Sequence, residues 1–175
     1  MKEQFNIRVS AASDLPAIAA LYREAFAGQD LGQLIADLLA GLDDVLSLVC
    51  DENKLIAGHV VFSTCSIDAM PARTALLGPL AVLPASQRRG TANALVREGL
   101  ARLADDGVTH VFVLGGPAYY GRFGFKSDFD VAPPYPLNPE WRAAWQSHCL
   151  AEGKSQLSGQ LTVPEPWQRS ELWMP

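Results

Sequence analysis

LAVLPASQRRGTA, residues 80–92, joins an apolar strand to a helix through a short turn that carries two arginines and a glycine. Upstream, Leu76, Leu77, Leu80 and Val82 form the apolar run, and Pro84 ends any ladder there. Downstream, Ala92, Leu95, Val96 and Leu103 recur at helical spacing, so a helix is expected to open at the turn. The first turn of a helix leaves four N–H donors without intrahelical partners and carries a partial positive charge. An anion placed there gains hydrogen bonds and favourable electrostatics together. Arg88 and Arg89 add full charge, Gly90 allows close approach of the backbone, and the small Ala92 leaves that approach open. The stretch reads as strand, phosphate-binding turn and helix.

Toward the N-terminus, residues 5–9 alternate as a strand, and Ser13 or Asp14 offers an N-cap for a helix bearing Ile18, Leu21, Tyr22, Ala25 and Phe26. Gly28 ends that helix. Leu31, Leu34, Ile35, Leu38, Leu39 and Leu42 then form a second amphipathic stripe, closed near Gly41. Residues 45–51 and 55–66 read as two strands about a polar hairpin turn of Asp51, Glu52, Asn53 and Lys54, and residues 74–82 extend the meander. Gly78 and Pro79 predict an interruption in that last strand, because proline gives no ladder N–H and a strand glycine marks a bulge.

After the arginine-bearing helix, VTHVFVL at residues 108–114 is almost continuously apolar, as a central strand covered on both faces should be. The helix between makes its pairing with the preceding strand parallel. The order β, α, α, β, β, β, α, β, α predicts a mixed α/β layer of the α+β kind with a largely antiparallel sheet. Past Phe125 the chain is rich in proline and tryptophan (Pro133, Pro134, Pro136, Pro139, Trp141, Trp145). Irregular structure is expected there, with one short helix over residues 139–150 and a last edge strand over 160–163, stopped by Pro164 and Pro166.

At 175 residues and 49% hydrophobic content, one domain over residues 1–175 is expected, with a core of about 5–130 and an extension, 131–175, packed on it. A net charge of −5 argues against general nucleic-acid binding and confines the basic character to Arg88 and Arg89. No apolar run approaches the roughly 20 residues needed to span a bilayer, and the polar start MKEQFNIRV lacks a signal-peptide core, so a cytoplasmic protein without a membrane partner is expected. Cys50, Cys65 and Cys149 form no CxxC pair; reduced thiols and no metal are expected.

The spacing QxxGxA at Gln87, Gly90 and Ala92, after LxVxP at Leu80, Val82 and Pro84, resembles the acetyl-CoA signature of the GNAT N-acetyltransferase superfamily. YYGRFGF at residues 119–125 resembles the tyrosine-bearing segment that follows the family's next strand. The resemblance covers roughly residues 5–130. It implies the GNAT-type acyl-CoA N-acyltransferase fold, a largely antiparallel sheet with a central parallel pair and helices on both faces. It also implies acetyl-CoA as co-substrate, with the main chain of Leu80, Ala81 and Val82 on the pantetheine arm and Gln87, Arg88, Arg89, Gly90, Thr91 and Ala92 on the pyrophosphate. The Val82 main chain is then the oxyanion donor. Tyr120, four residues before Gly124, matches the family's acid, and a shift of one residue would exchange it with Tyr119.

The reaction so implied is direct attack, in a ternary complex, of a primary amine of a small molecule, peptide or protein on the thioester. A base is not legible: residues 74–82 contain no carboxylate or histidine, leaving water first and Glu24 or His59 behind it. That gap keeps a second reading open, a non-catalytic acyl-CoA-binding or sensing module. A P-loop nucleotide site is disfavoured, since no GK[ST] follows the turn. Plainer readings stand beside these: His59 as a hydrogen-bonded core histidine, Arg122 in a surface ion pair, and Asp30, Asp37, Asp43 and Asp44 as a solvated helical face. Monomer and homodimer both stay open.

Overall fold

The hairpin predicted at Asp51 to Lys54 is formed by two strands, β2 at Val45–Glu52 and β3 at Leu55–Ile67, with Asn53 and Lys54 both at positive φ (51° and 67°). Two successive left-handed residues give the turn the twist that matches flanking strands, and asparagine tolerates that backbone well. The computed structural model describes residues 5–152 and 156–174, with Leu42 described by its backbone alone. The polar start at residues 1–4 and the Leu42 side chain of the predicted stripe thus lie outside the described parts. By contact density the chain forms two compact units, Met1–Phe62 with Gly78–Ala101, and Ser63–Leu77 with Arg102–Pro175.

In the first unit, β1 (Asn6–Val9) pairs antiparallel with β2 from Asn6 opposite Asp51 to Val9 opposite Leu48, and the neighbour order continues to β3 and to β4, Met70–Val82. Helix α1 spans Leu15–Ala25 and α2 spans Gly32–Ala40, burying Ile18 and Leu21 from one and Leu34, Ile35, Leu38 and Leu39 from the other. Asp14 precedes α1 but does not cap it with its side chain. Its carboxylate accepts from the Ala11 N–H at 2.7 Å and pairs with Arg8, which also meets Asp51, so the carboxylate predicted as a cap is used to tie β1 to β2 and to the helix entry. Helix α3, Thr91–Asp105, approaches β3 closely at two glycines. A Cβ on Gly58 would lie 2.9 Å from Leu95, and one on Gly99 would lie 2.1 Å from the Phe62 ring. Larger residues would push the helix away.

In the second unit, the start of β4 pairs parallel with β5, His110–Leu114, at Thr74 opposite His110, Ala75 opposite Val111 and Leu76 opposite Phe112. The predicted parallel pair is present. The helix expected over 139–150 is not: Pro139–Ala144 is a 3-10 turn capped by Asn138, and Trp145–Cys149 is a strand, β8, antiparallel to β5 along its whole length. Tertiary pairing overrides local preference here, because β5 offers a second edge. The Trp145 ring is fully buried, stacks on Phe112 with centroids 5.5 Å apart, and donates its indole N–H to the Val131 carbonyl at 2.8 Å.

The predicted last edge strand is displaced by one residue and is not an edge. This strand, β9 at Gly159–Thr162, pairs antiparallel with the end of β3 and parallel with β7, Val131–Ala132. A further short strand, β6 at Lys126–Ser127, pairs with β8. Leu161, Val163 and Trp173 join Ile67, Phe112 and Trp145 in one apolar cluster, so the tail contributes to the core of this unit.

Candidate functional site

The turn before α3 is built in three steps. A 3-10 turn, Pro84–Ser86, leaves β4; Arg88 and Gly90 then take positive φ, 59° and 96°; and α3 opens at Thr91. Ala94 donates to the Gly90 carbonyl at 2.9 Å, which places the N–H groups of Thr91, Ala92 and Asn93 in the first helical turn. Gly90 is needed for its backbone conformation and because a Cβ there would sit 3.3 Å from the Phe5 ring. Gln87, Arg88, Arg89 and Gly90 are exposed, Ala92 is half-buried and Thr91 is buried, its hydroxyl donating to the Ser86 carbonyl at 3.3 Å. The Gln87 side-chain amide donates to the Val82 carbonyl at 3.1 Å, so the turn and the strand end are tied together. First-turn amides, the positive end of a 15-residue helix and two arginines make a donor set that suits a pyrophosphate.

Glu52, by sequence only a residue of a polar hairpin turn, is brought to the turn before α3 by the fold. One carboxylate oxygen pairs with Arg89 at 2.7 Å and the other accepts from the Ser86 hydroxyl at 2.7 Å. The hairpin tip thereby holds both sides of the turn. An ion pair this exposed contributes at most about 1 kcal/mol to stability, and it sets an acidic group against the Arg89 guanidinium.

In β4, Ala81 and Val82 are buried and Leu80 is half-buried. The strand runs unbroken from Met70 to Val82, and the predicted irregularity lies in the backbone at Gly78, at φ 142°, followed by a cis peptide bond to Pro79. His59 is fully buried with Tyr22 on one ring nitrogen at 3.0 Å and Ser47 on the other at 2.8 Å, the hydrogen-bonded core histidine of the plainer reading. Burial pushes its pKa down to about 3. Glu24 is exposed on α1. Tyr22 and Phe26, stacked at 5.9 Å, wall a cavity of about 510 Å³ with Arg23 and Asp30 at its margin. Asp30 accepts from the Gly32 N–H at 3.0 Å at the start of α2, and Asp37 accepts from Gln33, which supports the structural reading of these acids.

In the second unit, Tyr119 and Tyr120 lie on a short helix, α4 at Pro117–Tyr120, continued by a 3-10 turn, Gly121–Phe123, and closed by Gly124 at φ 94°. The Tyr120 ring lies against Gly115, where a Cβ would approach it to 2.3 Å, and meets Tyr119 and Phe125 edge-on at 4.9 and 5.8 Å. Burial raises its phenol pKa well above the ordinary tyrosine value. The Tyr119 hydroxyl is buried without a hydrogen-bond partner among the described residues, and burial raises its pKa as well. Among the described residues Arg122 is not in the expected surface ion pair: its guanidinium lies over the Tyr119 ring at 4.4 Å, and its Nε donates to the Tyr119 carbonyl. The three cysteines are free thiols, and burial pushes Cys50 up to about 11 and Cys65 up to about 12, away from nucleophilic use.

The acetyltransferase (GNAT) domain family matches residues 6–127. The chain is 30% identical over 175 residues to the N-acetyltransferase YjhQ of Escherichia coli strain K12, covering 96% of this chain and 97% of that protein. It is 35% identical over 150 residues to the N-acetyltransferase YhbS of the same strain, covering 83% and 87%. The crystal structure of Escherichia coli YhbS in complex with CoA superposes with a TM-score of 0.82 at 32% identity, over 95% of this chain and 93% of that one. A GNAT family acetyltransferase from Brucella melitensis in complex with acetyl-CoA superposes with a TM-score of 0.76 at 31% identity, over 94% and 99%.

Proposed function

The chain belongs to the GNAT acetyltransferase family, and from that premise we propose that it transfers an acetyl group from acetyl-CoA to a primary amine by direct attack in a ternary complex. The observation that carries this reading is the turn at Gln87, Arg88, Arg89, Gly90, Thr91 and Ala92, whose amides and guanidinium groups suit the pyrophosphate. Leu80, Ala81 and Val82 would hold the pantetheine arm through their main chain. The Val82 N–H would face the thioester carbonyl and stabilise the oxyanion.

In the reaction the amine nitrogen forms a bond to the thioester carbon, the oxyanion collapses, and the carbon–sulfur bond breaks with the electron pair on sulfur. Water takes the proton that the amine nitrogen loses. Tyr120 enters by its place in the YYGRFGF segment. A free thiol has a pKa of about 8.5, below even an ordinary phenol at about 10, so a phenol raised by burial keeps its proton. Tyr120 would therefore donate a hydrogen bond to the departing sulfur, and solvent would deliver the final proton. Binding acetyl-CoA without transfer of the acetyl group would make the protein an acyl-CoA sensor.

Calorimetric titration with acetyl-CoA tests the reading, with saturable binding expected and absence of heat at millimolar ligand overturning it. Thiol release from acetyl-CoA across a panel of primary amines separates enzyme from sensor: release stimulated by an amine is expected, and binding without release favours the sensor.

A further inference from the structure

Four side chains of the first unit form a chain that ends on β4, and hydrogen-bond chemistry dictates its direction. Tyr22 Oη lies 3.1 Å from the Pro79 carbonyl oxygen and 3.0 Å from His59 Nδ1. Ser47 Oγ lies 2.8 Å from His59 Nε2 and 2.6 Å from Ser10 Oγ. A carbonyl only accepts, so the single hydroxyl proton of Tyr22 goes to Pro79. Tyr22 Oη then accepts from His59, which puts the imidazole proton on Nδ1. The buried ring is neutral and has no second proton, so Nε2 accepts from Ser47, and Ser47 accepts from Ser10. Every donor points toward Pro79.

This polarity separates two roles for His59. A relay that takes a proton from the cavity through Tyr22 needs a bare nitrogen facing Tyr22, and that nitrogen carries the proton. The same wiring suits a clamp. The Pro79 carbonyl on β4 takes a hydrogen bond from α1 through the Tyr22 hydroxyl. Two polar groups of the strand and helix are thus satisfied together in a buried setting, where leaving either unpaired is costly. One phenol touches both the strand and the cavity beside α1.

We propose that Tyr22 and His59 are positioning residues that hold the Pro79 carbonyl and so set the path of Leu80, Ala81 and Val82, the main chain that would grip the pantetheine arm. The inference rests on that reading of the strand, and its test separates the two. Tyr22→Phe keeps the ring and removes the last donor. In the wild-type protein, nitrogen NMR of the imidazole is expected to report a neutral ring protonated on Nδ1 from about pH 5 to about pH 8. In Tyr22→Phe the proton moves to Nε2, where Ser47 accepts it. Amide exchange at Ala81 and Val82 rises about tenfold, while that at Val60 and Val61 stays within about twofold. Acetyl-CoA binds about tenfold more weakly, while the phosphorylated adenosine portion of CoA, which lacks the arm, changes by less than about twofold.

Ser47→Ala, at the far end of the chain, leaves the clamp in place and is expected to leave exchange at Ala81 and Val82 unchanged. A wild-type ring protonated on Nε2 overturns the proposal, and so does exchange that rises equally throughout the unit. If the wild-type protein binds neither ligand, the pantetheine reading falls, and the tautomer and exchange measurements still decide the clamp.

Discussion

The turn at residues 87–92 and the aromatic segment at residues 119–125 are both legible as short motifs, yet they are held by opposite means. The turn is exposed, kept in shape by two left-handed residues and by polar ties from Glu52, Ser86, Thr91 and Gln87. The aromatic segment is held by ring packing: Tyr120 against Gly115, Tyr119, Phe123 and Phe125, with Arg122 stacked on Tyr119. The proposed pyrophosphate needs donors left facing water until it arrives, whereas the proposed phenol donor needs its ring fixed in place. Exposure serves the first and ring packing the second.

The strongest test of this contrast is Tyr120→Phe, which keeps the packing and deletes one oxygen. Turnover at saturating acetyl-CoA, measured as amine-dependent thiol release, is expected to fall about 100-fold with acetyl-CoA affinity within about twofold. Unchanged turnover would make the aromatic segment a packing element alone.

Acid titration of stability probes burial on the side of the turn. His59 binds a proton in the unfolded chain near pH 6.5 but in the folded protein only near pH 3, so the unfolded state holds more protons between those values. Stability is therefore intact above about pH 6.5 and falls as pH drops, by ~1.4 kcal/mol per unit, or ~2 kcal/mol by pH 5. Asp14, lowered by its hydrogen bonds from Arg8, loses its contribution in the same direction but only below the ordinary carboxylate range. Urea unfolding at pH 7 and pH 5 measures the slope, which His59→Gln should reduce to the part left by His110 and His148, whose imidazoles burial also holds below the ordinary value; an equal slope in the variant would assign the effect elsewhere.

Replacing Arg88 and Arg89 together by alanine should weaken CoA about tenfold and leave pantetheine without phosphate groups almost unmoved, read by calorimetry. Equal losses for both ligands would remove the phosphate role from the turn. The smallest effect is expected from Glu52→Gln, which keeps an oxygen for the Ser86 hydroxyl and removes the charge that pairs with Arg89. CoA should bind about two- to fivefold more tightly, with stability changed by less than about 1 kcal/mol. Weaker binding would mean that Glu52 positions Arg89 more than it competes for it.

Legibility followed the range of the forces involved. The strand, turn and helix at residues 80–105 depend on neighbours within a few residues, and so do the hairpin at Asn53 and Lys54 and the apolar stripes of α1 and α2. Residues 145–149 are not legible as a strand because WQSHC has no strong period of its own and becomes a strand only against β5. Glu52 is hidden in the sequence for a similar reason: a carboxylate in a hairpin turn looks solvated until the fold carries Arg89 and Ser86 to it.

Composition, periodicity and two motifs thus sufficed for the mixed α/β class, the parallel pair and the strand, turn and helix proposed to hold the pyrophosphate, since these rest on backbone geometry and side-chain pattern along one stretch of chain. Only the tertiary structure decided the fate of His59. Its two partners come from 37 and 12 residues away, and the carbonyl at the end of the chain comes from 57 residues beyond Tyr22. A neutral histidine donating toward Pro79 is a property of that enclosure: removal from water sets its charge, and the one group able only to accept sets the direction of every proton behind it.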